Sequence, residues 1–300
     1  MPRPSPCLSG LCAPPTIARC AVTQCSWRTQ SGRHQMDEQP SSALRAEVPN
    51  FRDLGGVQAG QGREFRRGVV FRTQALTGLS AQAQAELLSL GLTRVVDLRM
   101  EKERTELPVT VPAQIQVIVA DVIGSAGSTG AATAGAAATG KDDQQIAAVP
   151  PGGIDMMLET YRNFIRLPAA QSAYATFARS VLEPDGALAV YCAAGKDRTG
   201  WAAAFLQHFA GVDEATAIDE YAKSNEYLVS RYRPRIESVR SSGGDVDAFR
   251  ALVNANPDYL AEAFAFMRMR YGNIEGYMTN GLGFSQQELA MLESRIVVTI

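Results

Sequence analysis

The chain has 300 residues and a formal net charge of −2, from 29 basic and 31 acidic side chains. This near balance argues against a nucleic-acid-binding protein that relies on bulk positive charge, and a hydrophobic content of 46% excludes a wholly disordered chain. No run of 18 apolar residues is present, so the sequence predicts no transmembrane helix and no stable membrane insertion.

The first residues differ in composition from the rest of the chain and contain four of its five cysteines: Cys7, Cys12, Cys20 and Cys25. Their central gap is short for a zinc module, and disulfide pairing would need an oxidising compartment. No apolar stretch of signal-peptide length is present, so we expect a cytoplasmic protein, with export by a route without a signal peptide as the alternative. We interpret residues 1–43 as a disordered extension or as sequence upstream of the true start, for which Met36 is a candidate; a metal or disulfide role stays open.

Strand and helix signals alternate in the part of the chain that follows. Residues 50–56, NFRDLGG, have the composition of a turn, and Val69–Arg72 is predicted to be a short strand. Ser80 and Gly91 bracket a predicted helix as its N-cap and C′ residues. Thr93–Leu98 is a β-branched run typical of a buried strand. This order predicts an α/β fold with parallel strands.

Residues 124–153 form a low-complexity insert of small residues. Such residues bury too little apolar surface to offset the entropy lost on ordering, which predicts a mobile surface loop. Because α/β patterning resumes after it, we predict one domain over residues 44–300 rather than two.

The second half of the chain is predicted to be mostly helical. Two helices are expected at 156–167 and 171–182, followed by a short apolar strand over Ala187–Tyr191. Four further helical segments are predicted at 201–211, 213–239, 257–272 and 285–297. Pro257 and Ser285 are typical of helix starts.

The segment 187–200, ALAVYCAAGKDRTG, contains the residues with the clearest chemistry. A tight loop between a strand and a helix N-terminus turns successive N–H groups inward and forms an anion site, and Gly195 allows the backbone conformations needed. Arg198 offers a planar fork for two phosphate oxygens. The same positive environment stabilises a Cys192 thiolate, to which Thr199 can donate its hydroxyl, as a nucleophile aimed at phosphorus. A small buried structural cysteine is the alternative.

The string CAAGKDRTG closely resembles the signature loop of cysteine-dependent phosphatases. Together with NFRDLGG at 50–56, FRT at 71–73 and DLR at 97–99, it resembles the atypical bacterial tyrosine phosphatase family over about residues 44–296. The resemblance implies a cysteine-phosphatase fold, with a mostly parallel central sheet flanked by helices and a helical C-terminal half. It also implies hydrolysis of phosphotyrosine in protein substrates through a phosphocysteine, without metal or cofactor. Phosphoinositides are the alternative substrate, since some members act on them.

The resemblance also implies roles for individual residues. The loop backbone would bind phosphate through Ala193, Ala194, Gly195, Lys196 and Gly200. Asp197, inside the loop, is the first candidate for the general acid; Asp97, at the end of a strand, is the second, with a salt bridge to a nearby arginine as its other role. Lys196 would favour inositol headgroups, as in related lipid phosphatases, or would be a solvated lysine that raises the local field.

One residue departs from the family signature HCxxGKDRTG, because Tyr191 stands where the family has histidine. Tyrosine can donate a hydrogen bond but cannot carry positive charge, so the Cys192 thiol is expected to be less acidic here. An inactive phosphate-binding protein is therefore a further alternative. The retained Cys192, Arg198 and Thr199 argue against it.

Charged residues outside the loop have less specific patterns. Asp53 is expected to organise its own turn. Arg52 and Arg72 are expected to line the cleft, with a structural ion pair as the alternative for Arg72. His34 and His208 are the only histidines, so neither a Ser-His-Asp triad nor a histidine-rich metal site is expected. We predict that His208 packs or caps a helix.

Overall fold

The computed structural model describes residues 40–124 and 153–300. Its strands are β1 (Arg52–Asp53), β2 (Arg63–Phe65), β3 (Val70–Thr73), β4 (Leu92–Asp97), β5 (Gln116–Val119), β6 (Ala187–Tyr191) and β7 (Val297–Thr299). Five of them form the central sheet in the order β1-β3-β6-β4-β5, in which β1 is antiparallel and the others are parallel. The mixed α/β fold with a mostly parallel sheet is therefore confirmed.

The helices pack around this sheet. They are α1 (Ser42–Glu47), α2 (Ala81–Ser89), α3 (Glu101–Glu106), α4 (Gly153–Arg166), α5 (Pro168–Leu182), α6 (Asp197–Phe209), α7 (Glu214–Ala222), α8 (Ser224–Ser241), α9 (Val246–Val253), α10 (Pro257–Tyr271) and α11 (Gln286–Ile296), with a turn of helix at Ile274–Gly276 that continues into a π-helix at Tyr277–Gly281. The predicted caps are formed: the Ser80 hydroxyl accepts from the Ala83 N–H, and Ser285 forms a capping box with Glu288.

The two faces of the sheet are buried in separate apolar clusters. Leu188 and Val190 of β6 belong to the larger cluster, which contains side chains of α4, α5 and α6. Ala189 and Tyr191 belong to the smaller cluster, which contains side chains of α1 and α2. Successive side chains of a strand point to opposite faces, so Tyr191 is held on the opposite side of the sheet from Val190.

Several boundaries differ from those predicted. Strand β3 lies one residue later than Val69–Arg72, and β4 lies one residue earlier than Thr93–Leu98. The single helical segment expected over 213–239 is divided at Lys223 into α7 and α8, and Pro234 lies inside α8.

Two further predictions concern regions that the structure describes only in part. Helix α1 begins at Ser42, slightly before the predicted domain start, whereas residues 1–39 and all but the ends of the predicted 124–153 insert lie outside the described residues. Within the described ranges, no helix is both long enough and apolar enough to cross a membrane.

Candidate active site

Cys192 follows the central strand of the sheet. Strand β6 lies between β3 and β4 and ends at Tyr191, and α6 begins at Asp197. The thiol is free and buried. A loop at the carboxyl end of a parallel strand, followed at once by a helix N-terminus, is where α/β proteins bind anions.

The backbone of this loop presents N–H groups that are unpaired within residues 40–124 and 153–300. Among the described residues, no acceptor is found for the N–H groups of Ala193, Ala194, Gly195 and Lys196. Gly195 has a φ of +66°, and a Cβ atom there would lie 2.2 Å from the Thr73 carbonyl oxygen. Only glycine fits this position, and the resulting conformation leaves four successive donors for an anion.

The carbonyl groups of the same loop are bound by neighbouring side chains. Asn50 Nδ2 donates to the carbonyl oxygens of Ala194 (3.2 Å) and Gly195 (2.9 Å). Arg72 Nη2 donates to the Gly195 carbonyl oxygen over 2.8 Å. Because the carbonyls are bound on one side, the peptide planes are oriented with their N–H groups toward the other.

Arg52 and Arg72 are ion-pair partners of one buried carboxylate rather than free cleft residues. Arg52 Nε lies 2.5 Å from Glu220 Oε1, and Arg72 Nη1 lies 2.6 Å from Oε2. Burial acts to raise the pKa of Glu220, but the two guanidinium groups outweigh it and lower this pKa to about 2. This pairing ties α7 to β1 and β3 at the base of the loop.

Arg198 is oriented by a carboxylate that the sequence analysis did not single out. Its Nη1 and Nη2 atoms lie 2.6 Å and 2.7 Å from the two oxygens of Glu103. Burial opposes the charged guanidinium, but Glu103 outweighs this effect and raises the pKa of Arg198. Glu103 sits in the charged segment EKERTE, where no sequence signal separates it from its neighbours.

The contacts that the described residues make with the Asp197 carboxylate are to one of its two oxygens. Its Oδ1 accepts from the Tyr161 hydroxyl (2.9 Å) and lies 3.4 Å from Lys196 Nζ. The Tyr221 hydroxyl lies 2.7 Å from that of Tyr161. Burial raises the pKa of Tyr161, which therefore stays a neutral donor. No hydrogen-bond donor to Oδ2 of Asp197 is found within the described residues, and Asp197 is 5% exposed.

Asp97, the second candidate for the general acid, has both oxygens occupied. Arg99 Nε lies 2.9 Å from Oδ1 and Nη2 lies 2.7 Å from Oδ2, and the Tyr191 hydroxyl donates to Oδ2 over 2.9 Å. The carboxylate is 1% exposed. The structure therefore shows the salt bridge that was the alternative role of Asp97.

The Lys196 side chain is directed into the protein. Its Nζ donates to the carbonyl oxygens of Leu252 (2.7 Å) and Asn254 (3.0 Å), and the residue is 1% exposed. Burial lowers the pKa of this amine. The interpretation of Lys196 as a solvated lysine is therefore wrong, because its ammonium group fixes the loop to the end of α9.

Two expectations for the start of α6 are corrected. The Thr199 hydroxyl is buried and has no hydrogen-bond partner among the described residues, so the expected bond to Cys192 is not formed in this structure. The Gly200 N–H donates to the Lys196 carbonyl oxygen (2.6 Å), which removes it from phosphate binding. A Cβ atom at Gly200 would lie 2.7 Å from the Tyr221 ring, so this glycine allows close packing instead.

Residues outside the loop have structural roles. Asp53 accepts from the N–H groups of Gly55 and Gly68, both over 2.8 Å, and thus organises its own turn as predicted. His208 packs its ring against Phe264 and lies 3.0 Å from the Val212 carbonyl oxygen. Within residues 40–124 and 153–300, no group of three or more His, Cys, Asp or Glu side chains is arranged to hold a metal ion.

Comparison with known proteins gives relatives that cover most of the chain. A protein of Cupriavidus necator named as a tyrosine-protein phosphatase is 27% identical over 78% of this chain and 82% of its own length. The triple specificity protein phosphatase PtpB of Mycobacterium tuberculosis is 26% identical over 79% and 92%, respectively. A tyrosine-protein phosphatase of Nostoc commune is 33% identical over a shorter part, 40% of this chain and 42% of its own.

A solved structure and a family sequence model were also matched. The crystal structure of P. aeruginosa TpbA aligns with 65% of this chain and 92% of that chain at 20% identity, but its TM-score of 0.28 is too low to support a conclusion. The sequence model described as the tyrosine phosphatase family matches residues 45–298, nearly the whole described domain. This chain therefore belongs to the tyrosine phosphatase family, whose members are hydrolases that act on phosphate monoesters.

Proposed function

We propose that this protein hydrolyses phosphotyrosine in protein substrates through a phosphocysteine on Cys192. The observation that supports this most directly is the combination at one loop of a free thiol, four N–H groups without an acceptor among the described residues, and a guanidinium fixed by Glu103. Each part matches one need of phosphoryl transfer: a nucleophile, donors for the equatorial oxygens and a fixed cation.

The first step transfers the phosphoryl group to the enzyme. The Cys192 thiolate attacks phosphorus, an S–P bond forms and the P–O bond to the tyrosine breaks. Arg198 and the loop N–H groups hold the three equatorial oxygens. Asp197 gives its proton to the leaving phenolate through Oδ2, the oxygen that meets no donor within the described residues.

The second step regenerates the enzyme. A water molecule attacks the phosphocysteine, Asp197 accepts its proton, and the S–P bond breaks to release inorganic phosphate and the thiolate. The electron pair of the broken bond returns to sulfur, so no oxidant, metal or cofactor is required. Because the reaction needs a reduced thiol, we propose a reducing, cytoplasmic location.

Protein phosphotyrosine is favoured over phosphoinositides as the substrate. A preference for an inositol headgroup would need an accessible Lys196 ammonium group, and this group instead donates to two carbonyl oxygens inside the protein. Because the M. tuberculosis relative is a triple specificity phosphatase, other phosphate esters are the alternative substrates.

Turnover of a phosphotyrosine peptide, in buffer with EDTA, tests the proposed function. We expect phosphate release by the wild type, with Cys192→Ser reducing kcat by at least about 10³-fold while inorganic phosphate still binds, because the loop and Arg198 remain. Residual activity above about a tenth of wild type would contradict covalent catalysis by Cys192.

The substrate class is tested by comparing kcat/KM for three soluble substrates: a phosphotyrosine peptide, a phosphoserine peptide and a short-chain phosphoinositide. We expect the phosphotyrosine peptide to be preferred. Equal or higher values for the phosphoinositide would replace the protein substrate by the lipid. A wild-type protein that binds phosphate without hydrolysing any of the three would be the inactive phosphate-binding protein.

A further inference from the structure

Tyr191, Asp97 and Arg99 form a polar cluster at the carboxyl ends of the adjacent strands β4 and β6. Tyr191 directly precedes the nucleophile Cys192. The Tyr191 hydroxyl donates to Asp97 Oδ2, and Arg99 donates to both oxygens of the same carboxylate. The Arg99 guanidinium carbon also lies 5.4 Å from the centre of the Tyr191 ring. Tyr191 therefore contacts both members of the ion pair.

The cluster excludes water almost completely. Tyr191 is 0% exposed, and Asp97 and Arg99 are each 1% exposed. Burial and the neighbouring Asp97 raise the pKa of Tyr191, so its hydroxyl is a neutral donor. In such surroundings the loss of one donor leaves a buried charge incompletely satisfied, so the geometry of the ion pair depends on all three side chains.

Arg99 also links the cluster to helix α3. Its Nη1 donates to the carbonyl oxygen of Leu107, the residue that caps the C-terminus of α3, over 2.8 Å. Arg104, within α3, donates in return to the Arg99 carbonyl oxygen. A helix of six residues is not stable by itself, so its position depends on contacts of this kind.

Helix α3 in turn carries the carboxylate that orients Arg198. Glu103 contacts both terminal nitrogens of Arg198, and its Oε2 also accepts from the Met100 N–H at the start of the helix over 2.8 Å. A displacement of α3 would therefore move Glu103 and rotate the guanidinium away from the phosphate position.

We propose that Tyr191 is a positioning residue for Arg198. Its hydroxyl holds Asp97 in the ion pair with Arg99, and Arg99 holds α3 where Glu103 aligns the guanidinium. In this role Tyr191 carries no charge and touches neither the substrate nor the reacting atoms. The inference rests on the proposed function of the loop, and it adds a residue that acts on phosphate binding from outside the loop.

The direct test is Tyr191→Phe, which removes the hydroxyl and keeps the ring. We expect the Kd for inorganic phosphate, measured by calorimetry, to rise about tenfold, as for the loss of a hydrogen bond to a charged group. We expect kcat/KM to fall by a similar factor for phenyl phosphate and para-nitrophenyl phosphate, because every substrate uses Arg198 in the same way. A fall confined to phenyl phosphate would overturn the proposal, since it would place Tyr191 in proton transfer.

A double-mutant cycle tests whether Tyr191 acts through Asp97. In an Asp97→Asn background, Tyr191→Phe is expected to change the Kd for phosphate by less than about twofold, because the hydrogen bond between Tyr191 and the Asp97 carboxylate is already disturbed. Effects that multiply would show that the two residues act independently and would overturn the proposal.

Two further variants separate positioning from general loss of stability. Tyr191→His keeps a donor for Asp97 and is expected to bind phosphate more tightly than Tyr191→Phe. Tyr277→Phe removes another buried hydroxyl, which accepts from Trp201 Nε1 over 3.2 Å, and is expected to leave the Kd unchanged.

Arg99→Lys tests the proposal if Tyr191→Phe does not fold. Lysine keeps the charge but cannot contact both Asp97 and Leu107, so phosphate binding must weaken about tenfold. Unchanged binding would overturn the proposal.

Failure of this inference can be told apart from failure of the proposed function. Phosphate binding is measured in the Cys192→Ser background, where no turnover takes place. If Tyr191→Phe binds phosphate as tightly as its parent there, the positioning role is wrong even when the wild type is an active phosphatase.

Discussion

The Arg198 guanidinium is fixed on one side by both oxygens of Glu103, which leaves its remaining donors in a defined plane for phosphate. A lysine at this position would supply the charge but not the planar fork. The useful property of this residue is therefore its geometry, and a change that preserves charge alone tests this directly.

We predict that Arg198→Lys lowers kcat for the phosphotyrosine peptide by about 10²–10³-fold, the cost typical of losing a fixed oxyanion donor. Steady-state kinetics are the measurement. Arg162→Lys is the matched control, because Arg162 pairs with Glu262 at a partly exposed position between α4 and α10, and its replacement is expected to leave kcat unchanged. A near-normal rate in Arg198→Lys would show that charge alone is sufficient.

The general acid can be assigned by leaving-group dependence. We predict that Asp197→Asn lowers kcat for phenyl phosphate by about 10²–10³-fold but lowers that for para-nitrophenyl phosphate much less, because nitrophenolate departs without a proton. Asp97→Asn is expected to slow both substrates by one factor, since both oxygens of Asp97 are occupied by Arg99 and Tyr191. The opposite pattern in the two variants would reverse the assignment.

At the scale of elements, the loop between β6 and α6 is defined by how closely it packs against β3. Gly195 combines a φ of +66° with a Cβ position 2.2 Å from the Thr73 carbonyl oxygen. Any side chain there would have to push the loop away from β3 or change its backbone conformation, and either change would redirect the N–H groups.

We therefore predict that Gly195→Ala raises the Kd for inorganic phosphate by at least about 10²-fold, because several backbone donors are displaced together. Calorimetric titration is the measurement. Gly78→Ala is the control for strain alone: it has a similar φ of +65° but no atom within 4 Å of its Cβ position, and phosphate binding is expected to be unchanged. Equal effects of the two substitutions would mean that backbone strain, not contact with β3, is responsible.

The elements that the sequence predicted are those with strong local signals. Strand β6 has the predicted bounds, and α2 and α11 begin after the predicted caps, because an apolar run or a capping serine is visible in the chain itself. Strand β5, with its exposed residues, and the three-residue β7 were not predicted, because each owes its conformation to a distant partner strand.

The residues of the candidate active site also divide into those with a local sequence signal and those placed by the fold. The loop from Cys192 to Arg198 was predicted because its residues are contiguous. Glu103, Asn50 and Glu220 reach it from elements far away in sequence, and only the fold brings them together. The direction of the Lys196 side chain likewise depends on α9, which was not predicted as a separate helix.

At the scale of the whole molecule, buried carboxylates that pair with arginines link stability to pH. Burial acts to raise the pKa of Glu220, but Arg52 and Arg72 together hold it at about 2 in the folded state. Its pKa in the unfolded chain is close to the ordinary value of about 4.3. The folded protein therefore binds this proton less readily than the unfolded chain. The resulting contribution of Glu220 to the free energy of unfolding is fully present above about pH 4.3 and is lost as the pH falls toward 2.

We predict that Glu220→Gln lowers the free energy of unfolding by about 3–5 kcal/mol at pH 7, because two buried guanidinium groups lose their partner. The same variant should lose less stability than the wild type between pH 4.3 and 2. Denaturant titrations at several pH values are the measurement, with the half-exposed Glu293→Gln, which pairs with Arg63, as the control. A wild-type acid transition that Glu220→Gln leaves unchanged would contradict this source of pH dependence.

The small sheet of β2 and β7 joins segments that the ribosome makes far apart in time. Phe65 pairs with Val297, and the Arg66 N–H donates to the Ile296 carbonyl oxygen over 2.6 Å. With synthesis at about 5–20 residues per second, β2 waits for about 10–50 s before its partner strand is made. During that interval its edge can pair with other chains, so slower translation or a truncated message is expected to increase aggregation of the nascent protein.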